Sequence, residues 1–436
     1  MMKKFVIWIM LPVLPLIGMA QVPAPAAEQT KPVLLVGGVL HVGNGTVVEQ
    51  AAIGFDKGKI TYAGPLAGFP GNRAQYQVID VAGKQVYPGL ILPNTPLGLV
   101  EVDAVRATAD GKEVGMMNPN VRALVAYNTD SDIIPTVRAN GVLLAQPTPT
   151  GGLISGTSSV VHLDAWNWED AVVKADDGLH LHWPARVLKP TSHPDPKGKE
   201  QLEKRTRERD QHLQELEKLF AEASVYKPGL HDRENLKLGA LRGLFDGQRK
   251  LYLHVDSAKE IIEGVRFARK AGVKSIVIVG GKDAWNVTDF LRENDIAVIL
   301  SDVHALPQRI DEDVDLPYKL PAILQEAGVL YCLDYGKNLH GVRNLPFIAG
   351  TAAAFGLTKE QALSAVTLNT AKIMGIDQQV GSLEVGKDAT LVVSEGDLLD
   401  MRTNQVTLAF IQGRQLNLTD KQKVLYEKFK AKYALD

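Results

Sequence analysis

The chain has little cysteine and little excess charge, and each shortage excludes a class of protein. Its 436 residues contain one cysteine, Cys332, so no disulfide bond can form within the chain. Lys and Arg number 48 against 50 Asp and Glu, and the net charge of −2 offers no basic surplus for nucleic acid. Cys332 lies in the apolar run Val329–Leu333, which favours a buried core thiol over the alternative, a catalytic thiol.

The apolar run nearest the start of the chain is also short. Residues 5–17 follow Lys3 and Lys4, and this run is shorter than the roughly 20 residues of a membrane-spanning helix. Ala20 ends the segment, so residues 1–20 are interpreted as a secretory signal peptide, with a retained anchor as the alternative. The sequence therefore predicts a secreted or periplasmic protein with no membrane contact after cleavage. A spacer over residues 21–30 would follow the cleavage site.

The two ends of the mature chain share one sequence pattern. Residues 31–86 are short β-type runs interrupted by Gly and Asn, and residues 381–416 repeat that pattern. This predicts one composite β-sandwich domain assembled from both chain ends. A capped surface helix is expected within residues 417–436.

The middle of the chain, residues 87–380, alternates apolar strand candidates with amphipathic helices. Repeated units of this kind predict an α/β fold, a (β/α)8 TIM-like barrel whose site lies at the carboxyl ends of the strands. Residues 195–222 form a charged insert with leucines at helical spacing. A helix with one face packed on the barrel is favoured over a partner-binding helix.

Three separated blocks carry a family resemblance. The first runs from Val86 through Leu97–Asp110 to the strand at residues 141–143, and it begins with the letters VYPGLILPNTPLGL. The second runs from His254 to Leu300, and the third from Ala327 through Leu357–Ile376 to Gly381–Val393. Together they resemble the amidohydrolase superfamily, and in particular secreted imidazolonepropionase-like amidohydrolases. The resemblance implies a barrel with a sandwich domain. It also implies hydrolysis of C–N bonds by water that a divalent metal activates.

The metal ligands that the resemblance leads one to expect are mostly missing. Strand 1 of the family carries a pair of histidines, and Asn94 and Pro96 stand in their places. The strand 6 histidine is replaced at Val279 or Gly280, whereas His254 on strand 5 and Asp334 on strand 8 are kept. No metal is therefore expected in the standard site, and Asp334 is the candidate catalytic residue.

A relocated site is the alternative. Asp302 and His304 follow the next strand on one face, so His254, His304 and Asp334 could ligate one divalent metal such as zinc, with His340 as a further ligand. Otherwise no cofactor is expected. The candidate pocket consists of Asn94, His254, Asp302 and His304. The literal His-x-His of residues 180–182 is interpreted as one face of a strand, because no family motif precedes it.

Three functions stay open on these residues. The chain is a non-catalytic or impaired paralogue that acts as a binding or partner subunit, in a homo-oligomer or a hetero-oligomer with an active amidohydrolase. Alternatively it is an active hydrolase of amide C–N bonds with a reduced or relocated metal site. The third hypothesis is a small-molecule binding protein whose barrel pocket holds a small molecule or a short peptide.

Overall fold

The structure is a computed structural model that describes residues 24–186, 196–229, 234–307, 309–336, 339 and 341–434. The predicted signal peptide of residues 1–20 and the candidate ligand His340 lie outside this range. Within it, the chain forms two sheets and a set of helices that surround one of them.

Sixteen strands occur in the described part of the chain. In order they are β1 (Val33–His41), β2 (Val47–Asp56), β3 (Lys59–Pro65), β4 (Gln77–Asp80), β5 (Gln85–Pro88), β6 (Leu90–Thr95), β7 (Val142–Pro147), β8 (Ile154–His162), β9 (Val172–His182), β10 (Lys250–Val255), β11 (Ile276–Gly280), β12 (Ala297–Leu300), β13 (Tyr331–Leu333), β14 (Leu391–Ser394), β15 (Val406–Ile411) and β16 (Arg414–Gln415).

Twelve α-helices occur in the same residues. They are α1 (Ile134–Arg138), α2 (Trp168–Ala171), α3 (Pro196–Val225), α4 (Leu236–Leu241), α5 (Gly243–Asp246), α6 (Ala258–Lys270), α7 (Thr288–Glu293), α8 (Leu316–Glu326), α9 (Leu345–Ala354), α10 (Lys359–Ser364), α11 (Leu368–Met374) and α12 (Lys421–Tyr433).

The first sheet is built from both ends of the chain. Its strand order is β16-β15-β14-β5-β1-β2-β3, with β4 pairing to β1 in parallel. The junction is β5 with β14, where Pro88 lies opposite Leu391 in an antiparallel pair. The inner face buries an apolar cluster that includes Phe55 and Phe410. Their rings pack edge to face with centroids 5.1 Å apart.

The second sheet runs β6-β7-β8-β9-β10-β11-β12-β13 and is a nearly closed barrel. Residues 365 and 366 fill the gap between its outer strands, because Ile91 donates its N–H to the Val366 carbonyl and Leu333 donates to the Ala365 carbonyl, at 2.9 and 3.0 Å. The predicted α/β barrel with a sheet domain formed from both chain ends is confirmed.

One barrel strand departs from the expected β/α repeat. β8 is antiparallel to both β7 and β9, whereas β9 to β13 pair in parallel. Residues 148–153 alone connect β7 to β8, and a parallel crossover needs about a dozen residues. The repeat of strand and helix that the sequence predicts is therefore interrupted at β8.

The charged insert is helix α3, and one face of it is part of the core. Leu216, Phe220 and Ala223 are buried among the barrel helices, and Arg209 pairs with Glu263 of α6 at 2.7 Å. The interpretation as a packed, charged helix is confirmed for these residues. Asp195, at the start of the predicted insert, lies outside the described range.

Part of the barrel interior is apolar. Tyr252, Val277, Val279, Ile299 and Cys332 form a buried cluster there. Cys332 is a free thiol, as the core interpretation predicts, and burial raises its pKa, which keeps the sulfur protonated and non-nucleophilic. In the described residues, no helix has the length and apolar character to cross a membrane.

Candidate functional site

A cavity of about 1020 Å³ opens at the carboxyl ends of the barrel strands. Asn94 of β6, His182 of β9, His254 of β10 and Val279 of β11 line it. Charged residues of both signs line the cavity. The basic residues are Arg186, Lys259, Lys282 and Arg309, and the acidic residues are Asp256, Glu260, Asp283 and Asp302. A concave, partly polar space at this end of a barrel is where ligands bind in this class of fold.

Asp334 lies beneath the cavity floor and is fully engaged by hydrogen-bond donors. Its Oδ2 accepts from Asn94 Nδ2 at 2.8 Å and from Ser301 Oγ at 2.8 Å. Its Oδ1 accepts from the backbone N–H of Gly336. Three donors thus surround a buried carboxylate, which is how a protein stabilises the charged form away from water.

Burial is nevertheless the larger influence on this carboxyl group. It raises the pKa of Asp334 to about 6, and the negative charge of Asp302 adds to the shift. The hydrogen bonds from Asn94, Gly336 and Ser301 lower the pKa and offset part of the effect. Asp334 is therefore predominantly ionised at neutral pH.

A second buried carboxylate, Asp177 of β9, organises the barrel interior. Its Oδ1 accepts from Ser158 Oγ at 2.6 Å, and its Oδ2 accepts from Tyr252 OH at 2.6 Å and Gln146 Nε2 at 2.9 Å. Gln146 Oε1 in turn accepts the backbone N–H of Asn94 at 3.0 Å. The two carboxylates are thus linked through Gln146 and Asn94 in one network.

Three imidazoles extend this network to the cavity. His180 Nε2 lies 2.8 Å from Ser158 Oγ, and His180 Nδ1 lies 2.8 Å from His254 Nε2. Because Ser158 gives its one hydrogen to Asp177, it accepts from His180 Nε2–H, and His180 Nδ1 accepts from His254 Nε2–H. The ring of His182 stacks on His254 with centroids 4.1 Å apart. Burial keeps the pKa of His180 well below its ordinary value, so this ring is neutral.

The predicted pocket residues do not all line the same cavity. Asn94, His254 and Asp302 line the large cavity, and Asp302 pairs with Lys282 at 3.2 Å. His304 instead lines a separate cavity of about 500 Å³ next to α9, where its Nε2 lies 2.7 Å from Thr351 Oγ1. The ligand set His254, His304 and Asp334 is therefore divided between two places.

Sequence reasoning missed the residues that hold the network together. Gln146, Ser158, Asp177 and Tyr252 belong to four different strands and are fully buried. Gln146 and Tyr252 are polar residues inside mainly apolar strands, which is a signal in the sequence, whereas Ser158 and Asp177 lie among other polar residues and carry no such signal. His180 and His182 form a His-x-His pair in the sequence, and the structure places both beside His254.

The residues present do not fit the divalent metal that the resemblance implies. The oxygens of Asp334 face N–H and O–H donors, and one of these donors is Asn94, which stands at a histidine position. Pro96 has no donor atom, and Val279 presents an apolar side chain to the cavity. Among the described residues, no group of three or more His, Cys, Asp or Glu is arranged to hold a metal ion.

Part of the chain matches a known family. Residues 234–416 match the amidohydrolase family. The matched region contains the two kept positions, His254 and Asp334, and it begins after Asn94 and Pro96. The resemblance to the superfamily is confirmed, and the narrower likeness to secreted imidazolonepropionase-like members stays a prediction. No curated protein matches the chain.

Solved amidohydrolase structures share the fold across most of the chain. An amidohydrolase from Thermotoga maritima MSB8 is 23% identical with a TM-score of 0.76, covering 88% of this chain and 99% of its own. A putative prolidase from Bifidobacterium longum is 17% identical, with a TM-score of 0.51 and coverages of 92% and 99%. A Xaa-Pro dipeptidase with bound methionine in its active site is 17% identical, with a TM-score of 0.53 and coverages of 89% and 100%. At these identities the similarity shows the fold.

Proposed function

We propose that this chain is a non-catalytic binding member of the amidohydrolase superfamily, and that its barrel cavity holds a short peptide or an amino-acid derivative. The observation that carries the proposal is the hydrogen bond from Asn94 Nδ2 to Asp334 Oδ2. In the family's reaction this aspartate takes a proton from metal-activated water. Here an amide donor stands at the first-strand ligand position and points at that carboxylate.

The surroundings of this bond support the loss of the hydrolytic site. Asn94 is held from both sides, because its backbone N–H donates to Gln146 while its side chain donates to Asp334. Removing the amide from Asp334 to admit a metal would leave a buried carboxylate and a buried amide to find new partners. Asn94 therefore acts as a hydrogen-bonded replacement for a metal ligand on the first of the two strands that have lost their histidines.

The cavity itself supports a binding role. Its volume of about 1020 Å³ suits a small organic molecule or a short peptide. Arg186, Lys282 and Arg309 supply positive charges, and Asp256 and Asp302 supply negative charges near them. A zwitterion such as a dipeptide complements both signs. The Xaa-Pro dipeptidase that shares the fold has methionine in its active site, which gives a first ligand class to test.

Metal content and ligand binding together test this proposal. We expect the mature chain from Gln21 to contain far less than one metal per chain by elemental mass spectrometry, before and after incubation with zinc, manganese or iron. Isothermal titration with methionine and a panel of Xaa-Pro dipeptides should detect binding. Mass spectrometry of the same mixtures should show the peptides intact.

Engineered variants test the two parts of the proposal separately. Asn94→His/Pro96→His/Val279→His restores the missing family positions beside His254 and Asp334, and this protein should gain metal where the wild type does not. Lys282→Met should weaken dipeptide binding, whereas Lys204→Met on the exposed side of α3 should not. About one metal per wild-type chain, lost in His254→Ala or Asp334→Ala and accompanied by peptide cleavage, would instead establish the relocated-metal hydrolase.

We also propose export of the chain to the periplasm or the exterior, supported by the basic, apolar and small-residue order of residues 1–20. Expression of the full chain with fractionation of the cells tests this. The mature protein recovered outside the cytoplasm should begin at Gln21. Full-length protein retained in the cytoplasm or membrane fraction would contradict the proposal.

A further inference from the structure

Helix α12 stands apart from the rest of the fold. Asp420 caps it by accepting the N–H of Lys423 at 2.9 Å, and none of its residues, Lys421–Tyr433, is buried. A side-chain hydrogen bond of 2.8 Å from Thr136 of α1 to Gln422 ties its first turn to the barrel. The helix therefore presents nearly its whole surface to solvent.

A narrow strip along this predominantly polar helix is apolar and aromatic. At 100° per residue, Leu425, Phe429 and Tyr433 follow each other at intervals of four residues and Tyr426 lies beside them. Leu425 is 41% exposed and Phe429 is 45% exposed, and Tyr426 and Tyr433 are each 61% exposed. The rings of Phe429 and Tyr433 stack with centroids 6.4 Å apart. Four large side chains thus form one continuous exposed strip, called here the aromatic strip.

Lysines border the aromatic strip on both sides. Lys421, Lys428 and Lys432 lie on one flank, and Lys423 and Lys430 lie on the other. Lys432 Nζ is 5.1 Å from the Tyr433 ring centroid and 6.0 Å from that of Phe429. With Glu427 as its one acidic residue, the helix carries a net charge of +4, while the whole chain carries −2.

We propose that α12 is an interfacial anchor that binds the surface of an anionic lipid membrane. Aromatic and leucine side chains enter the boundary between headgroups and acyl chains, and flanking lysines reach the phosphates. The charge contrast favours an acidic surface, because the rest of the chain is acidic. A membrane is favoured over an acidic protein because lysines lie on both sides of the strip, and a groove that encloses the helix would bury them. Proteins usually recognise an amphipathic helix by enclosing it in a groove.

The helix lies on the membrane and does not cross it. Its 13 residues span about 20 Å, less than the roughly 30 Å of a hydrocarbon core. Membrane contact at this surface differs from the expectation of no membrane contact after signal cleavage. The proposal is independent of what the barrel cavity binds.

Vesicle co-sedimentation of the mature chain tests the anchor. We expect it to sediment with vesicles of phosphatidylglycerol and phosphatidylcholine, to stay in solution with pure phosphatidylcholine, and to be released at about 0.5 M NaCl, where charges are strongly screened. Lys428→Gln/Lys430→Gln/Lys432→Gln should weaken the partition constant by about 100-fold, since each lysine near an anionic surface contributes about fivefold. Phe429→Ser/Tyr433→Ser should weaken the partition constant as well, although this variant keeps all five lysines of the helix.

Matched controls separate the helix from general charge. Lys204→Gln/Lys218→Gln/Lys270→Gln removes three lysines that are exposed elsewhere on the protein and should leave sedimentation unchanged. Circular dichroism should show that all three variants remain folded. The proposal fails if anionic and neutral vesicles bind alike, if neither binds, or if the control lowers binding as much as the α12 variants. A dimer in light scattering that Phe429→Ser/Tyr433→Ser abolishes would overturn it in favour of a second copy as the occupant.

Discussion

Asn94 shows how one residue takes a new role when a catalytic site changes. Its φ of +45° lies in the left-handed region, which Asn tolerates better than most residues. That backbone angle places the side-chain amide on Asp334 while the backbone N–H reaches Gln146. In sequence Asn94 is only a missing histidine, whereas in the structure it is the donor that satisfies a buried carboxylate.

Changing this donor to an acceptor should therefore be costly. In Asn94→Asp, two carboxylates face each other at the 2.8 Å contact, and Asp334 loses its amide donor. We expect the free energy of unfolding to fall by about 3 kcal/mol at pH 8, measured by urea denaturation. The loss should shrink at pH 5, where one carboxyl of the pair is protonated.

Asn128→Asp is the matched control, because Asn128 Nδ2 also donates to a carboxylate, Glu101, but on the exposed surface at 3.2 Å. Solvent screens that pair, so its effect should stay below about 0.5 kcal/mol. Equal effects at the two positions would show that Asp334 is not the buried partner described above.

The buried side chain of His162 should make the stability of the protein depend on pH. Burial lowers its pKa to about 4, and its Nδ1 has no hydrogen-bond partner among the described residues. The unfolded chain binds the proton near pH 6.5, so between pH 6.5 and 4 it holds more protons than the folded chain. Stability from neutral His162 is thus present above pH 6.5 and lost as the pH falls toward 4.

We expect His162→Gln to remove this part of the pH dependence. Between pH 7 and pH 4, the free energy of unfolding of the wild type should fall by about 3 kcal/mol more than that of the variant. Urea denaturation at several pH values measures both curves. Parallel curves would mean that His162 is protonated equally well in the folded chain.

At the scale of the element, helix α9 packs against the loop after β14 closely enough to exclude a methyl group. A Cβ on Gly350 would lie 2.1 Å from the Leu399 carbonyl oxygen, which belongs to the backbone and cannot rotate away. Gly350→Ala should therefore destabilise the protein by about 2 kcal/mol or more in urea denaturation. Gly239→Ala in α4 is the control, because its Cβ meets only one atom, at 3.9 Å. There alanine should be neutral or stabilising by up to about 1 kcal/mol.

Strand β8 shows what apolar patterning leaves open at this scale. All nine residues of Ile154–His162 are buried, although only Ile154, Val160 and Val161 are large apolar residues, so apolar patterning indicates neither the burial of this strand nor its direction. The short connection from β7 makes β8 antiparallel. The charged helix α3 was easier to predict, because leucines at helical spacing among charges define one buried face.

At the scale of the whole molecule, one buried ion network joins the sheet domain to the barrel. Asp164, after β8, accepts hydrogen bonds from Arg138 of α1 and from Arg414 of β16, the latter at 3.1 Å. Arg414 also donates to the Asp164 carbonyl at 2.9 Å. The carboxylate is buried, so it depends on these two cations.

Asp164→Asn should leave two arginines without their anion. We expect a loss of about 3 to 5 kcal/mol in the free energy of unfolding, measured by urea denaturation. Asp289→Asn breaks an exposed pair with Arg292 at 2.7 Å and should change stability by less than about 1 kcal/mol. A small effect at Asp164 would indicate that the two domains are held together without this network.

Apolar periodicity and a motif frame are local properties of the chain, and they are enough to predict the barrel, the sheet built from both chain ends and the missing ligands at Asn94 and Pro96. The bond from Asn94 to Asp334, the contacts of His180 and His182 with His254, and the position of His304 at another cavity are known from the folded chain alone. These contacts join residues up to 240 positions apart. They depend on strand pairing and register, which residue spacing along the chain does not contain.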